Sequence, residues 1–242
     1  MKSCALAGEI PIWISTQKSL ETLDLSENQL EGMFPQWLAE MEVVIIILSS
    51  NSLIGSLPPR LFDSQNLLDL NLSQNDFYGK LPNDIGNATL LKFLALDGNN
   101  FLGKIPKSIS INEFTLLDLS SNRLSGELNS NLFASFMDVS SNQFSGKILT
   151  NFSQDTRFLL MGENQFSGNL PRILTNMSNL RYLDMHDNKI TSELPNSISQ
   201  ISNLRVLNLR NNYLQGLIPD NISNLSELQI LDLSSNQLMG NI

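Results

Sequence analysis

Few residues in this chain could do covalent or metal chemistry. His186 is the single histidine and Cys4 the single cysteine. A zinc centre needs three or four His, Cys or carboxylate ligands brought together, so metal catalysis is not expected. A Ser-His-Asp relay would have to be built from His186, a nearby serine and Asp184 or Asp187. Those groups would share one open surface, with no evident oxyanion hole. The glycines fit neither a phosphate loop nor a dinucleotide fingerprint. The sequence therefore predicts no enzyme, no cofactor and no metal, and the chemistry left to explain is recognition.

The residues suited to recognition are Phe136, Phe158, Leu160, Glu163, Tyr182, His186, Asp187, Lys189, Arg210 and Tyr213. An apolar stripe beside mixed charges is what a peptide or protein partner uses. They are spread along the chain and converge only if the backbone returns periodically to the same place. The frame L-x-L-x-x-N-x-L-x-G-x-[I/L]-P predicts that it does. Its asparagine falls at Asn28, Asn51, Asn75, Asn99, Asn122, Asn142, Asn164, Asn188, Asn212 and Asn236, with Cys4 in the same frame 24 residues ahead of the first. The steps are 20 to 24 residues, the period of a leucine-rich repeat solenoid.

Each unit has two halves. Leu23 and Leu25 alternate with Thr22, Asp24 and Ser26, a period of two that reads as a short strand with one buried face. Stacked units make a long parallel sheet, one short strand per repeat. The second half returns the chain, with Gly32, Gly55, Gly79, Gly103, Gly126, Gly146, Gly168, Gly216 and Gly240 at one turn position and Ser192 as the departure. The asparagine ladder points inward to satisfy backbone groups that lack a strand partner. Cys4 is expected as a buried small residue, and Trp13 and Trp37, each nine after its ladder residue, as filler under the convex surface.

With strands ~4.8 Å apart, outward residues form columns. Two before the ladder stand Ser26, Ser49, Ser73, Asp97, Ser120, Ser140, Gly162, His186, Arg210 and Ser234; six before it, Phe93, Leu116, Phe136, Phe158 and Tyr182 form an unbroken apolar run. Asp24, Asp118, Asp138, Asp184 and Asp232 recur with the repeat phrase and read as scaffold. The aromatic run also fits plain packing of each strand on the next.

The G-x-[I/L]-P element, at Gly55–Pro58, Gly79–Pro82, Gly103–Pro106, Gly168–Pro171 and Gly216–Pro219, and the phrases LDLSENQLEGMFPQWL, LDLSSNRLSGEL and LDLSSNQLMGNI resemble the ectodomains of plant extracellular leucine-rich repeat receptor-like proteins. The resemblance covers nearly the whole chain. It implies a solenoid of the right-handed β-α superhelix class, with 3-10 turns and small second strands on the convex face. It also implies a single-pass membrane parent at the extracellular side of the plasma membrane, serving immunity or development. Such a parent senses a peptide, glycan or protein on the concave face and signals through a coreceptor or adaptor kinase. Two other readings stay open: a secreted inhibitor of a microbial cell-wall hydrolase, similar to the polygalacturonase inhibitors, or a truncated product without function.

Composition agrees with an extracellular binder. A net charge of −9 disfavours nucleic acid and anionic membrane. No apolar run reaches the length of a bilayer span, and the first residues do not form a signal peptide. The expectation is one leucine-rich repeat domain over 1–242, about ten repeats without capping units. Of six N-x-[S/T] sequons, Asn87, Asn151, Asn176, Asn221 and Asn224 fall in the returning halves, where a glycan has room, whereas Asn71 falls on the strand face.

Overall fold

The computed structural model describes residues 1–129, 131–148, 151–171, 174 and 176–240. They form a leucine-rich repeat solenoid, divided into two compact units, Met1–Leu124 and Ser125–Ile242.

In the first unit the main sheet is built from Thr22–Asp24, Ile45–Ile47, Asp69–Asn71, Phe93–Ala95 and Glu113–Asp118. All pairs are parallel, with Thr22, Ile45, Asp69, Phe93 and Leu116 in one register. A second parallel sheet carries Ala7–Gly8, Gln29–Met33, Ser52–Gly55, Asp76–Gly79 and Asn100–Gly103. The return segments are short helices, Ile12–Thr16, Gln36–Ala39, Pro59–Asp63, Asn83–Asn87 and Lys107–Ile111, each capped by a proline. Proline suits that place because its φ is preset and it has no N–H to leave unpaired.

The second unit repeats the plan with Phe133–Asp138, Phe158–Leu160, Tyr182–Asp184, Val206–Asn208 and Ile230–Asp232 in the main sheet. Its second strands are Gln143–Lys147, Gln165–Gly168 and Lys189–Ile190, then the separate pair Gln215–Leu217 and Gln237–Met239. The interruption falls at Ser192. The turn glycines hold φ between 79° and 110°, a region that a side chain disfavours. Ser192 does not adopt it, its strand stops at Ile190, and only the single bridge Glu193↔Gln215 continues the pairing. A groove of about 840 Å³ opens there, lined among others by Ser192, Glu193, Gln215 and Leu217.

Between the sheets the strand leucines are buried except in the last turn, where Leu231 is exposed, and the rings two residues after the ladder stack: Phe77 on Phe101 at 6.3 Å and Phe144 on Phe166 at 6.2 Å. The ladder asparagines link each turn to the one before. Asn164 accepts the Phe144 N–H at 2.9 Å and donates to the carbonyls of Val139 at 2.9 Å and Gly162 at 3.0 Å. Asn75, Asn99, Asn122, Asn188 and Asn212 are buried with the same bonds; Asn28, Asn51, Asn142 and Asn236 are half-buried.

Two expectations fail. Cys4 is exposed, although its N–H donates to Asn28 Oδ1 at 3.0 Å. Trp13 is 53% exposed and Trp37 half-buried. They sit on the outward side of their short helices, and Ile14 and Leu38, one residue later, fill the interior instead.

Candidate functional site

Strand pairing puts Phe136, Phe158, Tyr182, Val206 and Ile230 side by side on the open face of the main sheet in the second unit. Phe136 and Phe158 lie 5.4 Å apart, and Phe158 and Tyr182 stack at 4.8 Å with their planes 20° apart. Stacking hides part of each ring face, so the rings are half-buried, while Ile230 is exposed. Such pairs stabilise by about 0.5–1.5 kcal/mol beyond area, so the rings brace one another and also offer one continuous apolar edge. Leu160 lies in the neighbouring column, half-buried.

Beside this stripe is a charged cluster built on a variant of the repeat's own bonding. In ordinary turns the serine two before the ladder donates its hydroxyl to the carboxylate two residues earlier, as Ser120 does to Asp118 and Ser234 to Asp232, both near 2.7 Å. His186 takes the serine's place: its Nδ1 is 2.6 Å from Asp184 Oδ1. The wider imidazole fits because the preceding turn has Gly162, where an added Cβ would come within 2.4 Å of the ring. Nε2 faces two further carboxylates, Glu163 and Asp187, each at 3.6 Å. Burial of the ring opposes protonation, but the bond and charge of Asp184, the charge of Asp187 and the bond to Glu163 outweigh it and raise the pKa above the ordinary 6.5.

The same contacts bear on nucleophilic catalysis. Nε2 is turned toward carboxylates rather than a serine, so His186 cannot serve as the base of a Ser-His-Asp relay in this arrangement. Among the described residues no group of three or more His, Cys, Asp and Glu is placed to hold a metal.

The remaining candidates divide. Arg210 is exposed on the main-sheet face, with its N–H donating to Asn208 Oδ1 at 3.2 Å. Asp187 accepts a bond from Asn211. Lys189 and Tyr213 follow the ladder asparagine and so stand beyond the sheet edge. Lys189 begins a second strand, and Tyr213, 50% exposed, donates its N–H to the Ile190 carbonyl at 2.8 Å. They flank the aromatic column rather than join it.

Among the sequon asparagines, Asn87, Asn151, Asn176 and Asn224 are exposed. Asn221 is half-buried, and its Nδ2 donates to the Asn196 carbonyl at 2.8 Å. Asn71 is held in the scaffold by Ser73, whose hydroxyl donates to Asn71 Oδ1 at 2.6 Å. One set escaped sequence reasoning: Arg157, Arg181 and Arg205, seven residues before successive ladder asparagines. Tabulating that column would have found them.

Leucine rich repeat family models match residues 178–238, and residues 19–41 and 66–88. A search of curated protein sequences gave no match. Among solved structures, a TDR receptor superposes with a TM-score of 0.89 at 29% identity, over 97% of this chain and 42% of the receptor chain. PEPR1 in complex with AtPEP1 gives 0.81 at 28%, over 98% and 38%. The Arabidopsis receptor kinase HAESA, solved with the peptide hormone IDA and the co-receptor SERK1, gives 0.74 at 27%, over 98% and 49%. The chain thus spans about two fifths to one half of the solved receptors it resembles. With the repeat-by-repeat geometry above, these matches show a leucine-rich repeat solenoid similar to the ectodomains of plant leucine-rich repeat receptors.

Proposed function

We propose that this chain is the ligand-recognition segment of a plant cell-surface receptor, and that its ligand is an extracellular peptide lying along the main sheet of the second unit. The observation that carries this reading is the aromatic column Phe136–Phe158–Tyr182 with a charged margin of Glu163, His186, Asp187 and Arg210. The apolar edge supplies affinity, and the mixed charges fix register and direction. Lys189 and Tyr213 close one side of the track. Similar receptors solved with peptides support a peptide over other ligands, and the HAESA complex with SERK1 supports a coreceptor kinase as the partner that carries the signal. The parent protein sits in the plasma membrane with this segment outside, and Asn87, Asn151, Asn176 and Asn224 carry glycans in preference to Asn221.

The test is a binding screen of secreted plant peptides against the chain, followed by Tyr182→Ala with Arg210→Ala. The double variant should lose binding at least about a hundredfold, since buried aromatic and arginine anchors each contribute ~2 kcal/mol or more. Its Tm should fall by only a few °C, the loss of one stacked ring at about 0.5–1.5 kcal/mol and about 2–4 °C per kcal/mol. Loss of folding together with binding would make these residues scaffold and remove the basis of the proposal.

A further inference from the structure

The outward side of the second sheet carries different residues in the two units. In the second unit the position three after the ladder asparagine holds Ser145 and Ser167, both half-buried. In the first unit it holds Ile54, Tyr78 and Leu102, which step across successive strands, and Met33 pairs with Ile54. Met33 is 63% exposed, Ile54 43%, Tyr78 53% and Leu102 42%. Serine serves the repeat equally well at that position, so the apolar stripe answers no demand of the fold. Contiguous exposed apolar surface marks an interaction site. The two ends of the stripe carry opposite charge. Glu31 shares a strand with Met33, and Glu9 lies against the Gly32 between them, where an added Cβ would be 3.1 Å from Glu9 Cγ. At the other end Arg123 pairs with Leu102, Lys104 follows two residues after it, and Lys80 lies against Gly103, 3.3 Å from where a Cβ would stand. All five charged residues are exposed, and none has a side-chain ion-pair or hydrogen-bond partner among the described residues. Asp76, opposite Ile54, flanks the stripe. The sequons of this unit leave the face clear, since Asn71 is in the main sheet and Asn87 in a return helix.

We infer that this face is a docking surface for a second copy of the chain, the two stripes lying face to face in reverse order about a two-fold axis between Ile54 and Tyr78. Charge selects the occupant. A stripe that is apolar in the middle, acidic at one end and basic at the other is complementary to itself when reversed. Reversal sets Ile54 of one copy on Tyr78 of the other and carries Glu9 and Glu31 onto the end that holds Lys80, Lys104 and Arg123. Alignment in the same direction would set acid on acid and base on base. The contact is isologous, so each pairing occurs twice. The apolar centre supplies affinity, and the charged ends fix direction and register. The site is on a different sheet from the peptide track and does not rest on that reading.

Sedimentation equilibrium of the full chain over a range of concentrations tests this. The expected result is a monomer–dimer equilibrium. Ile54→Ser with Tyr78→Ser should weaken it at least about a hundredfold, because the axis removes four side chains from the centre of the contact. The charge variants E9K/E31K and K80E/K104E/R123E should each be monomeric. Mixed in equal amounts they should form a heterodimer, since each end of one then again meets the opposite charge on the other. Thermal unfolding of both charge variants should match the parent, as their sites are exposed. Tyr182→Ala, on the main sheet, should leave the dimer intact. A parent chain that stays monomeric at every concentration overturns the inference. So do charge variants that self-associate like the parent, a mixture no more associated than its components, or loss of the dimer in Tyr182→Ala.

Discussion

Replacing Asn164 by alanine isolates what the ladder contributes to stability. In the native fold its carboxamide satisfies two buried groups of the preceding turn, the Phe144 N–H and the Val139 carbonyl, both at 2.9 Å. Alanine leaves the Phe144 N–H unpaired where water does not reach, while the Val139 carbonyl keeps the longer bond from Asn142 Nδ2 at 3.4 Å. An orphaned buried polar group costs about 1–3 kcal/mol. For a chain of this length each kcal/mol lowers Tm by about 2–4 °C, so the middle of that range is about 4–8 °C. Asn236 supplies the control. It makes equivalent bonds, to the Leu214 N–H at 2.9 Å and the Leu209 carbonyl at 2.8 Å, but is half-buried, and solvent can replace part of what alanine removes. Asn164→Asp keeps the acceptor for Phe144 and loses the donor to Val139, so it should fall between parent and alanine variant. Thermal unfolding followed by circular dichroism reads all three. If Asn164→Ala shifts Tm by less than about 2 °C, or by no more than Asn236→Ala, the ladder is not paying the cost assigned to it and the reasoning fails.

Two further outcomes concern charge. Asp69 stands between Ile45 and Phe93 on the main sheet, and burial raises its pKa above the ordinary value of 3.8. Its contribution is therefore favourable below the unfolded pKa and is lost as pH rises through the folded one; Asp69→Asn should raise Tm at neutral pH, and the gain should vanish in acid, as melts across pH will show. His186 titrates above 6.5, so its stabilising contribution is fully present below the unfolded pKa and lost as pH rises through the folded value. Gly162→Ala, whose Cβ would push against the imidazole, should lower that pKa in an NMR titration, with little change in fold because the ring end can move; an unchanged pKa would refute the packing argument.

The ladder, the strand alternation, the turn glycines and the prolines were legible because they satisfy backbone demands identical in every turn. Even the departure at Ser192 was visible, although its result, a break in the second sheet, needed the geometry of the turn. Side chains outside that demand were harder to place. His186 was a plain histidine in a serine column until Gly162 and three carboxylates were seen around it. Lys189 and Tyr213 lie one residue past the ladder, where the chain has already left the main sheet. Trp13 shared its position with Trp37, but position in a repeat does not say which of two adjacent residues turns inward. Arg157, Arg181 and Arg205 hid because each sits just outside its strand, where no alternation draws the eye.

The link between turns has a direction. Within each unit the ladder asparagines accept from and donate to the turn before, as Asn188 does with the Phe166 N–H and the Met161 carbonyl and Asn212 with the Ile190 N–H and the Met185 carbonyl. Every turn therefore presents the same sockets to its successor and the same plug to its predecessor, whatever its surface carries. A gene encoding such a chain can gain or lose a whole unit by unequal recombination without creating a new kind of joint. The surface columns can be reshuffled between turns while the inner wiring stays the same.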